Sequence, residues 1–379
     1  STRPHGTVVG RLVDVGFLVC SGEGLRSTHV EPGLSVVDVG VLGERAGFDS
    51  IGVIDHLRWN RATGPHGFWE CSTVIAALAA ATSRVRLFTA VLASPFRNPA
   101  LVAKIAETID MVSEGRFVLG LGAGSGPPEE YESFGIVQHR SYARFAEAVA
   151  IISGLIREGQ CDFDGVFYQA RGSLLRPRGP RPEGLPIAIG ASGPKRSRMV
   201  GLLADKGNGL TFGTPTLEHF APMVAAVDAA CREVGRDPAT LRRSIDIIVA
   251  PTNVTDIGLP GFGTPIHGSP IEIAEQLASF SGVGIAEVHV YLWPQSTATI
   301  EAMAPVLEAL DSYTALESRL DLFDVVLEAP QRFEFALEDH DIVAQDADRV
   351  VTLDHAFHDT LLIGAGHPAE MLPEQIMAL

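Results

Sequence analysis

Short apolar runs alternate with longer amphipathic segments through the first 310 residues of this chain. Between residues 48 and 124, the runs SIGVIDH, VRLFTAVL and RFVLGLG are brief, rich in β-forming residues and followed by polar or glycine residues, which predicts three buried strands. The segments between them carry apolar residues at helical spacing, and one of them begins at Pro99 and ends at Gly115. The pattern therefore predicts strands and helices in alternation.

Continued to residue 311, the same pattern predicts eight strands that alternate with eight helices. Strict alternation over this length is typical of an α/β fold of the (β/α)8 or TIM-barrel type, which we expect with insertions over residues 1–312. An open, doubly wound sheet is the alternative. Residues 313–379 break the alternation, and their short apolar runs and charged loops predict a small C-terminal extension of uncertain fold.

Composition excludes several classes of protein. A net charge of -17 argues against a nucleic-acid or anionic-membrane partner, since both require a basic surface. No apolar run is long enough to span a bilayer, and the first residues lack the apolar core of a signal peptide, so we expect a cytoplasmic protein. We expect no metal site, because neither the four cysteines nor the histidines of the extension have ligand spacing: His340, His355, His358 and His367.

Candidate chemistry follows the predicted strands, because ligands bind at the carboxyl ends of the strands in parallel barrels. Asp55 and His56 end the second strand, so one of them can face a ligand while the other anchors the loop. His56 could act as a general base or donate a hydrogen bond, or it could simply be satisfied by nearby backbone. Arg97 after the third strand could hold a carboxylate or phosphate, or form an ion pair on the surface.

Two glycine-rich segments follow later strands. Glycines 120, 122, 124 and 126 would let a flat ring or a phosphate approach the backbone, but PPEEY follows where a dinucleotide fingerprint requires a helix. The segment 190–194 precedes a predicted helix that carries Lys195, which favours either a phosphate site or an ordinary tight turn.

Taken together, these motifs resemble the bacterial luciferase-like superfamily over about residues 12–311, and within it the branch that uses the deazaflavin coenzyme F420. The residues that carry the resemblance are Gly47-Phe48-Asp49-Ser50, Asp55-His56-Leu57, Trp69-Glu70, Thr82 to Leu87, Phe96-Arg97-Asn98-Pro99, Gly115-Arg116-Phe117, Leu119 to Gly124, Gly190 to Pro194 and Gly263-Thr264-Pro265. The resemblance implies a barrel with the cofactor in its C-terminal mouth.

The implied activity is hydride transfer between C5 of F420 and a small organic substrate. A reduced-FMN monooxygenase is the alternative, and a catalytically inactive flavin-binding barrel is an alternative of another class. Dimerisation through barrel helices is common in this superfamily, so a homodimer could form.

The resemblance also implies roles for particular residues. His56 would lie beside the ring as the catalytic residue, and Ala90-Val91 occupies a position where members often carry a non-prolyl cis peptide. The predicted cofactor-binding residues are Asp55, His56, Ala90, Val91, Gly122, Ala123, Gly124, Gly190, Ala191, Ser192, Gly193, Thr211 and Gly213, and the predicted substrate-side residues are Trp59, Arg97, Ser125 and Trp293. Sugar-phosphate dehydrogenases of this branch carry a glutamate where this chain has Ser125, which counts against that specific activity.

Overall fold

The computed structural model describes residues 11–23, 34–61, 64–138, 141–190, 194–210, 215–251 and 264–312, and, nearer the C-terminus, 334–338, 341–346 and 349–353. The chain divides into two compact units, Ser1–Tyr313 and Thr314–Leu379. Among the described helices, none is long and apolar enough to cross a membrane.

The first unit alternates strands and helices along the chain. Its strands are β1 (Asp14–Val19), β2 (Ser50–Val53), β3 (Arg58–Arg61), β4 (Gly64–Gly67), β5 (Arg86–Thr89), β6 (Leu92–Ala93), β7 (Phe117–Gly122), β8 (Gln160–Asp164), β9 (Gln169–Leu174), β10 (Ile187–Gly190), β11 (Lys206–Leu210), β12 (Arg242–Val249) and β13 (Glu287–Leu292). Its helices are α1 (Val36–Ala46), α2 (Cys71–Ala81), α3 (Pro99–Val112), α4 (Pro128–Ser133), α5 (Ser141–Glu158), α6 (Pro194–Leu203), α7 (Leu217–Glu233), α8 (Pro270–Ser279) and α9 (Thr297–Glu301).

Eight of these strands form a closed parallel barrel. They run in the order β1, β2, β5, β7, β10, β11, β12, β13, and β13 pairs again with β1. This closure confirms the predicted (β/α)8 barrel and rules out the open sheet. Because all eight strands are parallel, their carboxyl ends meet at one mouth of the barrel.

Local sequence signals account for the helix boundaries. Ser35 caps α1 in a capping box with Asp38, and Gly47 ends the helix in a left-handed conformation with a φ of 102°. The predicted last helix differs, because α9 ends at Glu301 and helical structure resumes over 304–312. Pro305 lies in the first turn of this second segment, where its missing N–H leaves no helical hydrogen bond unmade.

Polar side chains fill the amino-terminal half of the barrel interior. Lys206 on β11 contacts Glu287 on β13 at 2.6 Å, and His289 on β13 bonds to Asp246 on β12 at 2.7 Å. Ser50 on β2 donates to the same Glu287. The ring of Phe88 stacks on His289 with centroids 4.1 Å apart.

Two antiparallel hairpins interrupt the alternation, β3–β4 after β2 and β8–β9 after α5. The sequence pattern predicts the second hairpin but assigns residues 58–68 to a loop. In the second unit, the strands β14 (Glu334–Glu338), β15 (Asp341–Asp346) and β16 (Arg349–Leu353) form an antiparallel sheet. The other strands predicted for the extension and its four histidines lie outside the described residues.

Candidate active site at the barrel mouth

His56 lies at the mouth of the barrel, just beyond the end of β2. Its Nδ1 atom is 3.2 Å from both carboxylate oxygens of Glu130 on α4. Its side chain is 19% exposed. Within the described part of the chain, no hydrogen bond to Nε2 is present.

Aromatic rings cover two sides of the imidazole. The ring of Trp59 on β3 meets it edge-on at 4.8 Å, and the ring of Phe68 lies at 5.5 Å. The hairpin β3–β4 carries Trp59 and ends beside Phe68, so this hairpin forms one side of the site, where the sequence pattern predicts a loop.

The carboxylate of Asp55 is buried and pairs with Arg97. Its two oxygens accept hydrogen bonds from Arg97 at 2.6 and 2.9 Å, and one of them also accepts the Ala93 amide. Arg97 also donates to Glu70, the residue that caps α2. The carboxylate of Asp55 is therefore buried and anchors Arg97, and the contact of Asp55 with a cofactor stays a prediction. For Arg97, the structure shows ion pairs with Asp55 and Glu70, and its contact with a substrate stays a prediction.

The peptide bond between Ala90 and Val91 is cis, the conformation that the family resemblance implies. Ala90, Val91 and Gly190 are partly exposed, whereas Phe88 and Thr89, directly before them on β5, are buried. These three small residues are therefore a partly exposed patch at the mouth, in which Gly190 lies beside Val91. Their contact with a cofactor stays a prediction.

The glycine run at the end of β7 is explained by internal packing. A Cβ at Gly120 would lie 2.0 Å from the Thr89 carbonyl oxygen, and one at Gly122 would lie 2.6 Å from the Val91 side chain. At Gly124 it would lie 2.2 Å from Tyr131. These glycines leave room for neighbouring protein groups. Whether Gly122, Ala123 and Gly124 also touch a cofactor stays a prediction.

The remaining predicted residues are dispersed. Ser125 is exposed beyond β7, and Trp293 beyond β13 is buried and precedes a cis proline. Ala191, Ser192, Gly193, Thr211 and Gly213 lie outside the described residues, so the predicted phosphate site stays a prediction. Among the described residues, no group of three or more His, Cys, Asp or Glu side chains could hold a metal ion.

Glu130 is the residue that the sequence analysis missed. Its carboxylate also accepts the Leu57 amide at 2.6 Å and the Arg58 amide at 3.3 Å. Burial opposes its ionisation, but His56 and these amides outweigh that effect and lower the pKa of Glu130. The segment PPEEY resembles a solvated turn, and only the preceding glycine, Gly126, hints that a side chain folds back there.

The arrangement suits a flavin or deazaflavin. The patch of small residues could support a planar ring. The imidazole of His56 lies at the same mouth of the barrel, and its Nε2 has no hydrogen bond to a described residue. Such a nitrogen can exchange a proton with a substrate or bond to a ring heteroatom. The described residues therefore fit the cofactor class that the family resemblance implies.

Comparison with known proteins identifies the family. The Luciferase-like monooxygenase model matches residues 14–256, and the chain belongs to this family of oxidoreductases. The chain is 36% identical to the F420-dependent glucose-6-phosphate dehydrogenase of Beutenbergia cavernae over 184 residues, which are 47% of this chain and 54% of that enzyme. It is 30% identical to F420-dependent glucose-6-phosphate dehydrogenase 1 of Rhodococcus jostii over 62% of this chain and 71% of that enzyme. The chain thus matches little more than half the length of the first relative.

Solved structures show the same fold. An F420-dependent secondary alcohol dehydrogenase in complex with an F420-acetone adduct superposes with a TM-score of 0.66 at 17% identity, over 79% of this chain and 99% of that one. The riboflavin lyase RcaE, solved with modified FMN and riboflavin, superposes with a TM-score of 0.65 at 14% identity, over 79% of this chain and 92% of that one.

Proposed function

We propose that this chain is an F420-dependent oxidoreductase that transfers a hydride between a small organic substrate and C5 of the deazaflavin. The observation that carries the proposal is His56, whose Nδ1 is held by Glu130 while Nε2 stays available at the mouth of the barrel. The choice of F420 over FMN is supported by relatives at 30 to 36% identity that are F420-dependent enzymes.

The protein's part in this reaction is proton transfer and orientation. The bound deazaflavin would supply the hydride acceptor or donor. In the oxidative direction, His56 Nε2 takes the proton of a substrate hydroxyl as the adjacent C–H bond breaks, and in the reductive direction it returns that proton. Trp59 and Phe68 keep water from two faces of the imidazole, and Ala90, Val91 and Gly190 leave room for the ring.

We do not extend the proposal to glucose 6-phosphate. The sugar-phosphate dehydrogenases that the chain resembles carry a glutamate where Ser125 stands, and Ser125 is an exposed hydroxyl that has no comparable acidity. A neutral alcohol or carbonyl compound is the substrate class that the site's single proton-exchanging group suits.

Cofactor titration tests the proposal. The purified protein is titrated with oxidised F420 and, separately, with FMN, and binding is followed by fluorescence and calorimetry. We expect F420 to bind at least tenfold more tightly, and a panel of secondary alcohols to bleach its visible absorbance, with glucose 6-phosphate as a comparison substrate. Tight binding of FMN together with oxygen-dependent turnover would instead establish the monooxygenase. Binding of a flavin without any turnover would favour the inactive barrel.

A further inference from the structure

Glu130 is fully buried on a helix of only six residues, at the mouth of a barrel. Its carboxylate receives the Leu57 and Arg58 amides and lies 3.2 Å from Nδ1 of His56. A carboxylate that bonds to two backbone amides has one fixed position, so the imidazole that contacts it is fixed as well.

Gly126 provides the space for this carboxylate. A Cβ at Gly126 would lie 1.7 Å from Oε2 of Glu130, which is far inside contact distance. A side chain at position 126 would therefore expel the carboxylate from its place beside His56. The last glycine of the run thus leaves the space that the Glu130 carboxylate occupies.

We propose that Glu130 is the positioning residue of His56, which keeps the proton of the neutral imidazole on Nδ1 and leaves the lone pair of Nε2 for the substrate. The catalytic part of this inference rests on the proposed function. The structural part, the tautomer of His56, does not. An ionised carboxylate can only accept a hydrogen bond, so the nitrogen beside it must be the protonated one.

The surrounding elements carry few other titratable groups that could set this state. Asp55, next to His56 in the chain, forms an ion pair with Arg97. His66 stands opposite Trp59 in the β3–β4 hairpin, and Arg58 begins that hairpin, with a guanidinium that donates to Asn60. Glu130 is the charged group whose contact with the imidazole of His56 the structure shows.

The first experiment uses the free protein and needs no cofactor. Nitrogen and carbon NMR of labelled histidine reports which ring nitrogen is protonated, and we expect the Nδ1–H form in the wild type. Glu130→Gln keeps the shape, but its amide oxygen can accept the Leu57 and Arg58 amides while its NH2 faces Nδ1, which favours the Nε2–H form. Glu129→Gln, at the exposed neighbouring position of the same helix, should leave the wild-type form unchanged.

The Nε2–H form in the wild type, or no change in Glu130→Gln, would overturn the inference whatever the reaction proves to be. The wild-type measurement decides the point even if Glu130→Gln fails to fold.

Kinetics test the catalytic part. Loss of the correct tautomer should lower kcat by about 100- to 10,000-fold, with F420 affinity unchanged. In a His56→Asn background, Glu130→Gln should cost little more, because it acts through His56. Equal losses in both backgrounds, or weakened F420 binding, would make Glu130 merely structural. Absence of turnover with every cofactor would contradict the proposed function, while the NMR result still stands.

Discussion

Arg97 connects three segments of the chain through its guanidinium alone. It bonds to Asp55 after β2 and to Glu70 at the start of α2, and it follows the 3-10 turn after β6. Both oxygens of Asp55 are engaged and its side chain is fully buried. The resulting network holds the backbone that precedes His56, so Arg97 helps to fix the position of this part of the site.

Replacing Arg97 by Met should destabilise the protein by about 3–5 kcal/mol, because it leaves the buried carboxylate of Asp55 without its cation. Chemical denaturation measures this loss. The matched control is Arg171→Met, since Arg171 is 77% exposed and lies 3.7 Å from Asp164. That change should alter the stability by about 0.5 kcal/mol or less. Similar losses of unfolding free energy in the two variants would show that the buried Arg97–Asp55 pair contributes no more to stability than an exposed ion pair.

The ionisation of Glu70 makes the stability of the folded protein depend on pH in the acidic range. Burial alone would raise its pKa, but hydrogen bonds from Thr73 and Arg97 lower it to about 2 from a usual 4.5. A lowered folded-state pKa stabilises the protein fully above pH 4.5, and this contribution is lost as the pH falls toward 2. We expect Tm to fall over this range, and less steeply in Glu70→Gln. Parallel curves for the two proteins would contradict this account. The carboxylate is 41% exposed, so solvent screening reduces the effect.

At the scale of elements, β7 packs unusually closely against the end of β5. The Thr89 hydroxyl both donates to the Gly120 carbonyl and accepts the Gly120 amide. Val91 lies beside Gly122, where a Cβ would approach it to 2.6 Å. The glycines of β7 thus fix where the residues around the cis peptide lie.

Gly122→Ala should therefore destabilise the protein by about 1–3 kcal/mol through overpacking. Val91→Ala in the same chain should recover part of this loss, because it removes the atoms that the new methyl group meets. Gly282→Ala is the control, since nothing lies within 4 Å of a Cβ there. Urea denaturation of the wild type, the single variants Gly122→Ala and Val91→Ala, the double variant and the control measures the changes. Strict additivity of the two substitutions would show that Gly122 and Val91 do not compete for space.

Helices and barrel strands could be predicted because their signals are local. Ser35 and Gly47 bracket α1, and apolar runs mark most barrel strands, although β11 carries Lys206 and Asn208. The partner of His56 could not be predicted in this way, because Glu130 is 74 residues distant and its segment looks solvated. The hairpin β3–β4 could not be predicted because most of its residues are polar or glycine. The hydrogen bonds that Asp55 accepts could not be predicted either, because they come from Arg97, which is distant in the sequence. Local pattern predicts the barrel, whereas the pairings across its mouth require the folded chain.

At the scale of the whole molecule, the barrel carries charge deep in its interior. The side chains of Lys206 on β11 and Glu287 on β13 are 8% and 2% exposed, and they form an ion pair inside the barrel. Burial alone would raise the pKa of Glu287, but Lys206 and His289 lower it well below its usual range. Phe88 stacks over His289 and stands two residues before Ala90, so these charges lie on the amino-terminal side of the proposed site. They fill the barrel and take no part in the proposed chemistry.

Removing one charge of this pair should be costlier than removing both. Lys206→Met should lower the free energy of unfolding by about 3 kcal/mol, because the Glu287 carboxylate stays buried and loses the ammonium group that lies 2.6 Å from it. Ser50 and His289 still bond to this carboxylate, and Arg86 and Arg242 keep longer contacts with it. Adding Glu287→Met should restore part of the loss, since apolar side chains fill such sites without a desolvation penalty. Guanidinium denaturation of the four proteins of this cycle measures the coupling, with the exposed Lys195→Met as a control that should change little. A double variant whose loss equals the sum of the single losses would show that the two charges do not stabilise each other, and that the barrel owes its closure to its strands and apolar packing alone.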